Sequence, residues 1–246
     1  GTYCFYASEM NERMQTRSKL ELDLQSGLAK GEFTLFYQPV VDLEDNKMKT
    51  CEALLRWNHP ERGAVAPSEF IPIAEETGLI VPLGEWVLRT ACAEAVKWPD
   101  DVAVAVNVSA IQLASKNLVN AVLGAIASSG LSPNRLVLEI TESVFLKNTF
   151  ANLATLKSLH QLGVRFAMDD FGTGYSSLGY LVSFPFSKIK IDRSFIAGLV
   201  DSVESRAVVR AIADLACNLN MRIVAEGVET AEQRDLARAL GCTDMQ

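Results

Sequence analysis

The sequence predicts an α/β fold, a TIM-like (β/α)8 barrel whose first strand runs antiparallel to the rest. Three observations predict it. Apolar stretches of strand length alternate with stretches of helix length over most of the 246 residues, which is the pattern of a mainly parallel sheet. Eight such strands are present, enough to close a sheet on itself. The first two are separated only by a few polar residues centred on Glu44-Asp45-Asn46. A parallel crossover needs a dozen or more residues, so these two neighbours must be antiparallel.

The elements follow in order. Residues 1–30 stand apart from the barrel, which is expected over 31–246. Gly1–Ala7 is short and aromatic, like the end of a strand. Glu9–Leu28 is highly charged and carries Leu20, Leu24 and Leu28 four residues apart, the spacing of an amphipathic helix packed outside the barrel or linking it to something upstream. Phe33–Val41 and Met48–Trp57 read as the first two strands. Further strands are expected at Val102–Val108, Leu136–Thr141, Arg165–Asp169, Lys188–Asp192 and Arg222–Glu226. Helices are expected at Pro67–Thr77, Pro82–Lys97, Leu118–Ser128, Thr149–Leu162, Ser202–Leu219 and Ala231–Leu240. Pro133, Gly163 and Gly241 mark breaks near helix ends. Cys242–Gln246 reads as an eighth strand, cut off as it begins.

Composition narrows the function. Hydrophobic residues make up 49% of the chain, enough for a large core. No apolar run approaches the roughly 20 residues a membrane helix needs, so no membrane contact is expected from this segment. Five cysteines, an odd number with no Cys-x-x-Cys spacing, argue against disulfides and zinc clusters and for a reducing cytoplasm. A net charge of −7 argues against DNA or RNA as a partner.

Strand periodicity then exposes a polar ring. Side chains alternate faces along a strand. The valines at 102, 104, 106 and 108 share one face, and Ala103, Ala105 and Asn107 share the other. Glu139 lies with Val137, Asp169 with Ala167, and Lys190 with Lys188 and Asp192. Glu226 lies opposite Ile223 and Ala225, and Glu52 shares a face with Leu54 and Arg56. Most strands therefore place a polar group near the C-terminal end, on the face that should line the barrel. Barrel interiors are usually filled by branched apolar residues, and barrel enzymes work at that C-terminal mouth. Buried carboxylates without partners are costly, so a metal site is the economical explanation. Glu52, Asn107, Glu139, Asp169 and Asp170 offer only oxygen, which suits magnesium or manganese rather than zinc or copper. So many carboxylates could hold two ions and support in-line displacement at phosphorus. Lys190 could stabilise transition-state charge or orient a water. Glu226 could hold a metal or accept a proton. His59 is expected in a loop and His160 on a helix, in surface or packing roles.

At these residues the chain resembles the EAL-domain cyclic-di-GMP phosphodiesterases. The resemblance covers about Leu20 to Gln246. It rests on Glu52-Ala53-Leu54 within "CEALLRW", with "YQPVV" at Tyr37–Val41, "RWNHPERG" at Arg56–Gly63 and "NVS" at Asn107–Ser109. "LEITES" at Leu138–Ser143, "DDFGTGYSSL" at Asp169–Leu178, "KIKID" at Lys188–Asp192 and "AEGVET" at Ala225–Thr230 complete the set.

The resemblance implies roles. Glu52, Asn107, Glu139 and Asp169 match ligands of one metal, and Asp170 reaches a second. Glu226 matches a metal ligand or general base, and Lys190 the lysine that positions the nucleophilic water. Gln246 matches a site glutamine. Gln38, Leu54 and Arg56 match positions contacting the dinucleotide, with Arg56 near phosphate. "DDFGTGYSSL" matches the family's mobile loop and Glu142 its anchor. The implied reaction is magnesium- or manganese-dependent cleavage of cyclic di-GMP to linear pGpG. A homodimer and an upstream GGDEF domain are implied too, with Gly1–Gln25 as that domain's tail and linker. Two departures stand out: Ser187 replaces a frequent aspartate, and the chain stops before the usual closing segment. The rival function is an inactive cyclic-di-GMP sensor, whose degenerate members lose metal ligands; here every expected ligand is present.

Overall fold

In this computed structural model, residues 8–142, 144, 149–172 and 178–246 are described. Gly1–Ala7, expected as a strand end, lies outside them. The chain runs α1 (Ser8–Lys30), β1 (Phe33–Asp42), β2 (Met48–His59), β3 (Gly63–Val65), α2 (Pro67–Thr77), α3 (Ile80–Ala95), β4 (Ala103–Asn107), α4 (Ala110–Ala114) and α5 (Leu118–Ser129). It continues through β5 (Leu136–Thr141), α6 (Thr149–Gln161), β6 (Arg165–Phe171), α7 (Leu178–Ser183), β7 (Lys188–Ile191), α8 (Arg193–Ala197), α9 (Val203–Asn218), β8 (Arg222–Ala225), α10 (Ala231–Ala239) and β9 (Asp244–Met245).

The strands lie in the order β1-β9-β8-β7-β6-β5-β4-β2, closed by the β1–β2 pairing, with β3 appended to β2. β1 is antiparallel to both its neighbours. The other pairs within the closed ring are parallel. This is the expected barrel with its first strand reversed. The reversal has a local cause. Asp42 Oδ1 accepts the backbone N–H groups of Glu44 (2.7 Å) and Asp45 (3.2 Å), so the side chain itself folds the turn. Asn46 completes it in the left-handed region, at φ 55°.

Two apolar layers result from strand alternation. Ala103, Ala105, Val137 and Ala167 fill part of the interior. Val104, Val106, Leu138, Phe166 and Ile189 face outward and join the large core beneath the helices. A second core forms where α1 docks: Leu20 and Leu24 pack with Phe33, Trp57 and Phe70, and Phe33 stacks on Trp57 at 5.4 Å. Cys51, Cys92, Cys217 and Cys242 are unpaired. Among the described residues no helix is long and apolar enough to cross a membrane.

The structure corrects some expectations. His59 is the last residue of β2 rather than part of a loop, is buried, and accepts the N–H groups of Glu61 and Arg62 at Nδ1 (3.1 Å each). β8 ends at Ala225, so Glu226 begins the following loop. β3, α4, α7 and α8 were not foreseen, because elements of three to six residues are too short to show a period.

At the N-terminal end of the parallel strands a charge cluster closes the ring. Asp244 of β9 is fully buried. It accepts two hydrogen bonds from Arg222 of β8, both 2.8 Å, and the Thr243 hydroxyl at 2.9 Å. Arg222 reaches on to Asp42 of β1 at 2.7 Å. Replacing Asp244 by Ala strands these donors. The guanidinium is partly open to solvent, which relieves some of the loss, leaving about 2 kcal/mol. For a chain this long the melting temperature should fall by about 4–8 °C. A thermal melt of Asp244→Ala within a degree of the parent would show that the cluster does not hold the closure.

Candidate active site

The site begins with strand parity. Glu52 on β2, Glu139 on β5, Asp169 on β6 and Lys190 on β7 all point into the barrel near its C-terminal mouth. Lys190 is only 2% exposed and is among the largest fully buried side chains of the described residues. It is held by charge. Its Nζ lies 3.1 Å from Glu52 Oε2, 2.8 Å from Glu139 Oε2, 3.0 Å from Asp169 Oδ1 and 2.7 Å from Glu226 Oε1. An isolated buried ammonium would be costly; one ringed by carboxylates is not. Burial works to depress the Lys190 ammonium, but Glu139, Asp169, Glu52 and Glu226 together hold it well above its ordinary value.

The carboxylates outnumber the lysine, and their protonation shows it. Burial pushes Glu139 up to about 8, with Glu52 and Asp169 adding to the rise against Lys190. Burial also pushes Glu226 up to about 7, opposed by Lys190 and reinforced by Asp169. Burial and then Asp169 raise Asp170. Glu52 differs. Burial works against its charge, yet Lys190, Gln246 and Asn107 hold it below its ordinary value. Gln246 Nε2 donates to Glu52 Oε2 at 2.5 Å and Asn107 Nδ2 to Glu52 Oε1 at 2.7 Å.

Asp169, Asp170 and Glu226 form a group whose ligand oxygens all lie within 4.8 Å of one another, a divalent-metal-binding arrangement. Gln246, which donates to Glu52, keeps its Oε1 buried and without a hydrogen-bond donor, an acceptor left uncommitted at the mouth. The donor set is oxygen throughout, which suits a hard divalent ion.

Loops and close packing aim these groups. Asp170 sits at φ 51°, where the register of β6 with β7 shifts, which turns its side chain to the exposed rim. Gly227 follows Glu226 at φ 71°, and a Cβ there would lie 2.7 Å from Arg193 Cβ, so only glycine lets the chain turn past Arg193. Asn107 ends β4 directly before a capping box in which Ser109 and Gln112 bond each other's backbone N–H groups. Gly84 of α3 makes room for that box, because a Cβ there would meet Gln112 Nε2 at 1.8 Å.

The remaining expected residues lie around this centre. Gln38 is exposed on β1 and is the register partner of Glu52. Leu54 and Arg56 line a cavity of about 560 Å³ that Asn107, Glu139 and Ser109 also line, a volume typical of small-ligand sites. Glu142 Oε1 accepts the N–H of Gly172 at 3.3 Å, tying the end of β5 to the start of the "DDFGTGYSSL" segment. Residues 173–177 of that segment lie outside the described residues. His59 and His160 stay away from the centre, as expected. His59 lies beside Asp23, and His160 packs near the ring of Phe184.

Sequence reasoning missed two features. The first is the short helix α4, although the Ser-x-x-Gln spacing of Ser109 and Gln112 is a helix-start signal. The second is Phe36, two residues before Gln38 on the same face of β1. It is 60% exposed, and Arg56 lies over its ring at 5.7 Å.

A family model described as the EAL domain matches residues 21–246. The chain is 52% identical over 246 residues to an uncharacterized protein, y4lL, of Sinorhizobium fredii, covering 100% of this chain and 30% of that protein. It is 45% identical to the bifunctional diguanylate cyclase/cyclic di-GMP phosphodiesterase MucR of Pseudomonas aeruginosa, covering 99% and 36%. It thus spans about a third of the length of these relatives. Among solved structures, that of the PaMucR phosphodiesterase in complex with c-di-GMP superposes with a TM-score of 0.88 at 45% identity, covering 93% of this chain and 94% of that one. The EAL enzyme Bd1971, in a form with cAMP and cyclic-di-GMP bound, gives 0.89 at 32% identity, covering 95% and 65%. A reversed first strand, an oxygen-lined mouth centred on a buried lysine and a family match over nearly the whole chain place this protein in the EAL-domain family.

Proposed function

We propose that this chain is a metal-dependent phosphodiesterase that hydrolyses cyclic di-GMP to linear 5′-pGpG. The observation that carries the reading is the oxygen-only cluster around Lys190, opening onto a cavity lined by Arg56. The relatives named for cyclic-di-GMP phosphodiesterase activity or solved with that ligand support the substrate.

In this reading Glu52, Asn107, Glu139 and Asp169 hold one ion and Asp170 the second, magnesium or manganese in both cases. Bound ions supply Lewis acidity at the phosphate and an activated water. The chain's own groups do the rest. The planar fork of Arg56 suits phosphate oxygens, and Gln38, Leu54 and Gln246 complete the binding surface. Lys190, with three N–H donors, orients the attacking water and steadies charge as it develops. Water oxygen bonds to phosphorus, the bond from phosphorus to a ribose 3′ oxygen breaks, and that oxygen leaves with a proton. Glu226, at the rim and with a raised pKa, either completes a metal shell or takes the proton of the attacking water. Glu142 steadies the loop that begins at Gly172.

The same reading makes residues 1–30 a linker from an upstream GGDEF domain, supported by the bifunctional MucR relative. It places the reaction in the cytoplasm, in a protein that forms a homodimer.

Three outcomes are expected. Purified protein with manganese should convert cyclic di-GMP to pGpG, and Glu52→Ala should lose turnover by about 100-fold or more. Ligand binding with no product from the parent chain would favour a sensor instead. Lys190→Ala should lower kcat by about 100-fold while KM changes far less; a rise in KM alone would remove Lys190 from the chemistry.

The third concerns pH. Glu139 and Glu226 titrate above the ordinary carboxylate range, so between pH 5 and 8 the metal-free fold binds more protons than the unfolded chain. Its stability should therefore fall as pH rises through that window. Metal binding must displace those protons, so the rise in melting temperature caused by manganese should grow from about pH 5.5 to about pH 8. A manganese shift that is constant, or largest at the acid end, would contradict the assignment of these carboxyls to the cation site.

A further inference from the structure

The reversed strand β1 presents a row of side chains to the mouth of the barrel. In the β1–β2 register Gln38 pairs with Glu52, Phe36 with Leu54 and Thr34 with Arg56. The row therefore climbs from the metal-ligating level outward to solvent. Leu35 and Tyr37, of opposite parity, pack against the main core. Phe36 does not pack there. It is 60% exposed, and among the residues whose burial is described no other aromatic lies as open to solvent. Burying a phenylalanine is ordinarily stabilising, and this one is left open beside a site built for a phosphodiester.

Its ring is also held in place. The Arg56 guanidinium carbon lies 5.7 Å from the ring centroid, within range of a cation–π contact. Arg56 Nη1 in turn donates to the Leu55 carbonyl at 2.9 Å. One aromatic surface is thus oriented next to the group best suited to phosphate and one step out from Gln38. A cyclic dinucleotide carries its charge on the phosphates and its flat apolar surface on the purine bases.

We propose that Phe36 is the stacking platform for one guanine base of the substrate, with Arg56 linking that platform to the phosphate. The inference rests on the cyclic-di-GMP reading above and assigns a residue that reading does not need. Stacking on an aromatic ring is equal for ground and transition states, so its loss should appear in KM and not in kcat.

The test is steady-state kinetics with cyclic di-GMP and manganese. Phe36→Ala should raise KM by about 5- to 150-fold, the range for one lost base–aromatic stack, with kcat within about twofold of the parent. Phe36→Trp should keep a KM near the parent's. Phe36→Leu, apolar but not aromatic, should behave like Phe36→Ala. Leu22→Ala, an equally exposed apolar site on α1, should change nothing. An unchanged KM in Phe36→Ala, or full rescue by Phe36→Leu, would overturn the platform. If the parent chain yields no pGpG, the phosphodiesterase reading fails by itself. The same ratios are then read as Kd from equilibrium titration with cyclic di-GMP, where equal affinities for the parent and Phe36→Ala overturn the stacking proposal.

Discussion

One ammonium group holds the mouth of this barrel together. Four carboxylates from four parts of the chain approach within about 3 Å of Lys190 Nζ. Without a cation among them they would repel one another. Burial pushes Glu139 and Glu226 to titrate high, and the excess negative charge that a single ammonium leaves adds to the rise. The fold therefore tolerates this carboxylate cluster through Lys190, and remains short of positive charge. A divalent ion meets that shortage directly, and the ligand oxygens of Asp169, Asp170 and Glu226 already lie within 4.8 Å of one another. Preorganisation of this kind is what makes electrostatic catalysis effective.

Room for so much polar machinery comes from small residues elsewhere. β4, β5 and β6 contribute Ala103, Ala105, Val137 and Ala167 to the interior, where barrels usually pack bulky branched side chains. The freed volume is taken by two lysines of β7. Lys190 crosses to Glu52 of β2, and one level below it Lys188 crosses to Thr50 of the same strand at 2.9 Å. Interiors are close-packed, so large and small must balance. Strands β2 and β7 are thus cross-braced at two successive levels, and the upper brace belongs to the carboxylate cluster at the mouth.

Much of this was legible in the sequence, for identifiable reasons. The barrel followed from alternation of strand and helix lengths, and the reversed strand from the shortness of the segment at Glu44-Asp45-Asn46. The inward set of Glu52, Asn107, Glu139, Asp169 and Lys190 followed from a period of two, which needs no tertiary information. Three things were not legible. Parity assigns Lys190 to the inward face, but its contact with four carboxylates at once appears only in the closed ring. The Gly84–Gln112 contact joins residues on separate helices, and no local pattern encodes it. Phe36 was hidden by its neighbours, because "TLFYQP" reads as a uniformly apolar strand until the register assigns its faces.

The reversal of β1 organises the site. In an ordinary parallel barrel every strand offers its C-terminal end to the reaction. Here the ligand-oxygen and lysine groups come mainly from parallel strands, whereas the face carrying Phe36, Gln38, Leu54 and Arg56 is one side of an antiparallel hairpin. A slip of one residue between β1 and β2 would turn that whole face away. What guards the register lies at the other end of the barrel: the Asp42 turn, and the Arg222–Asp244 pair that ties β1 to β8 and β9. In the proposed reading the pair that closes the ring thereby also sets where the dinucleotide sits. Weakening it should disturb substrate alignment even though no atom of the cluster reaches the site.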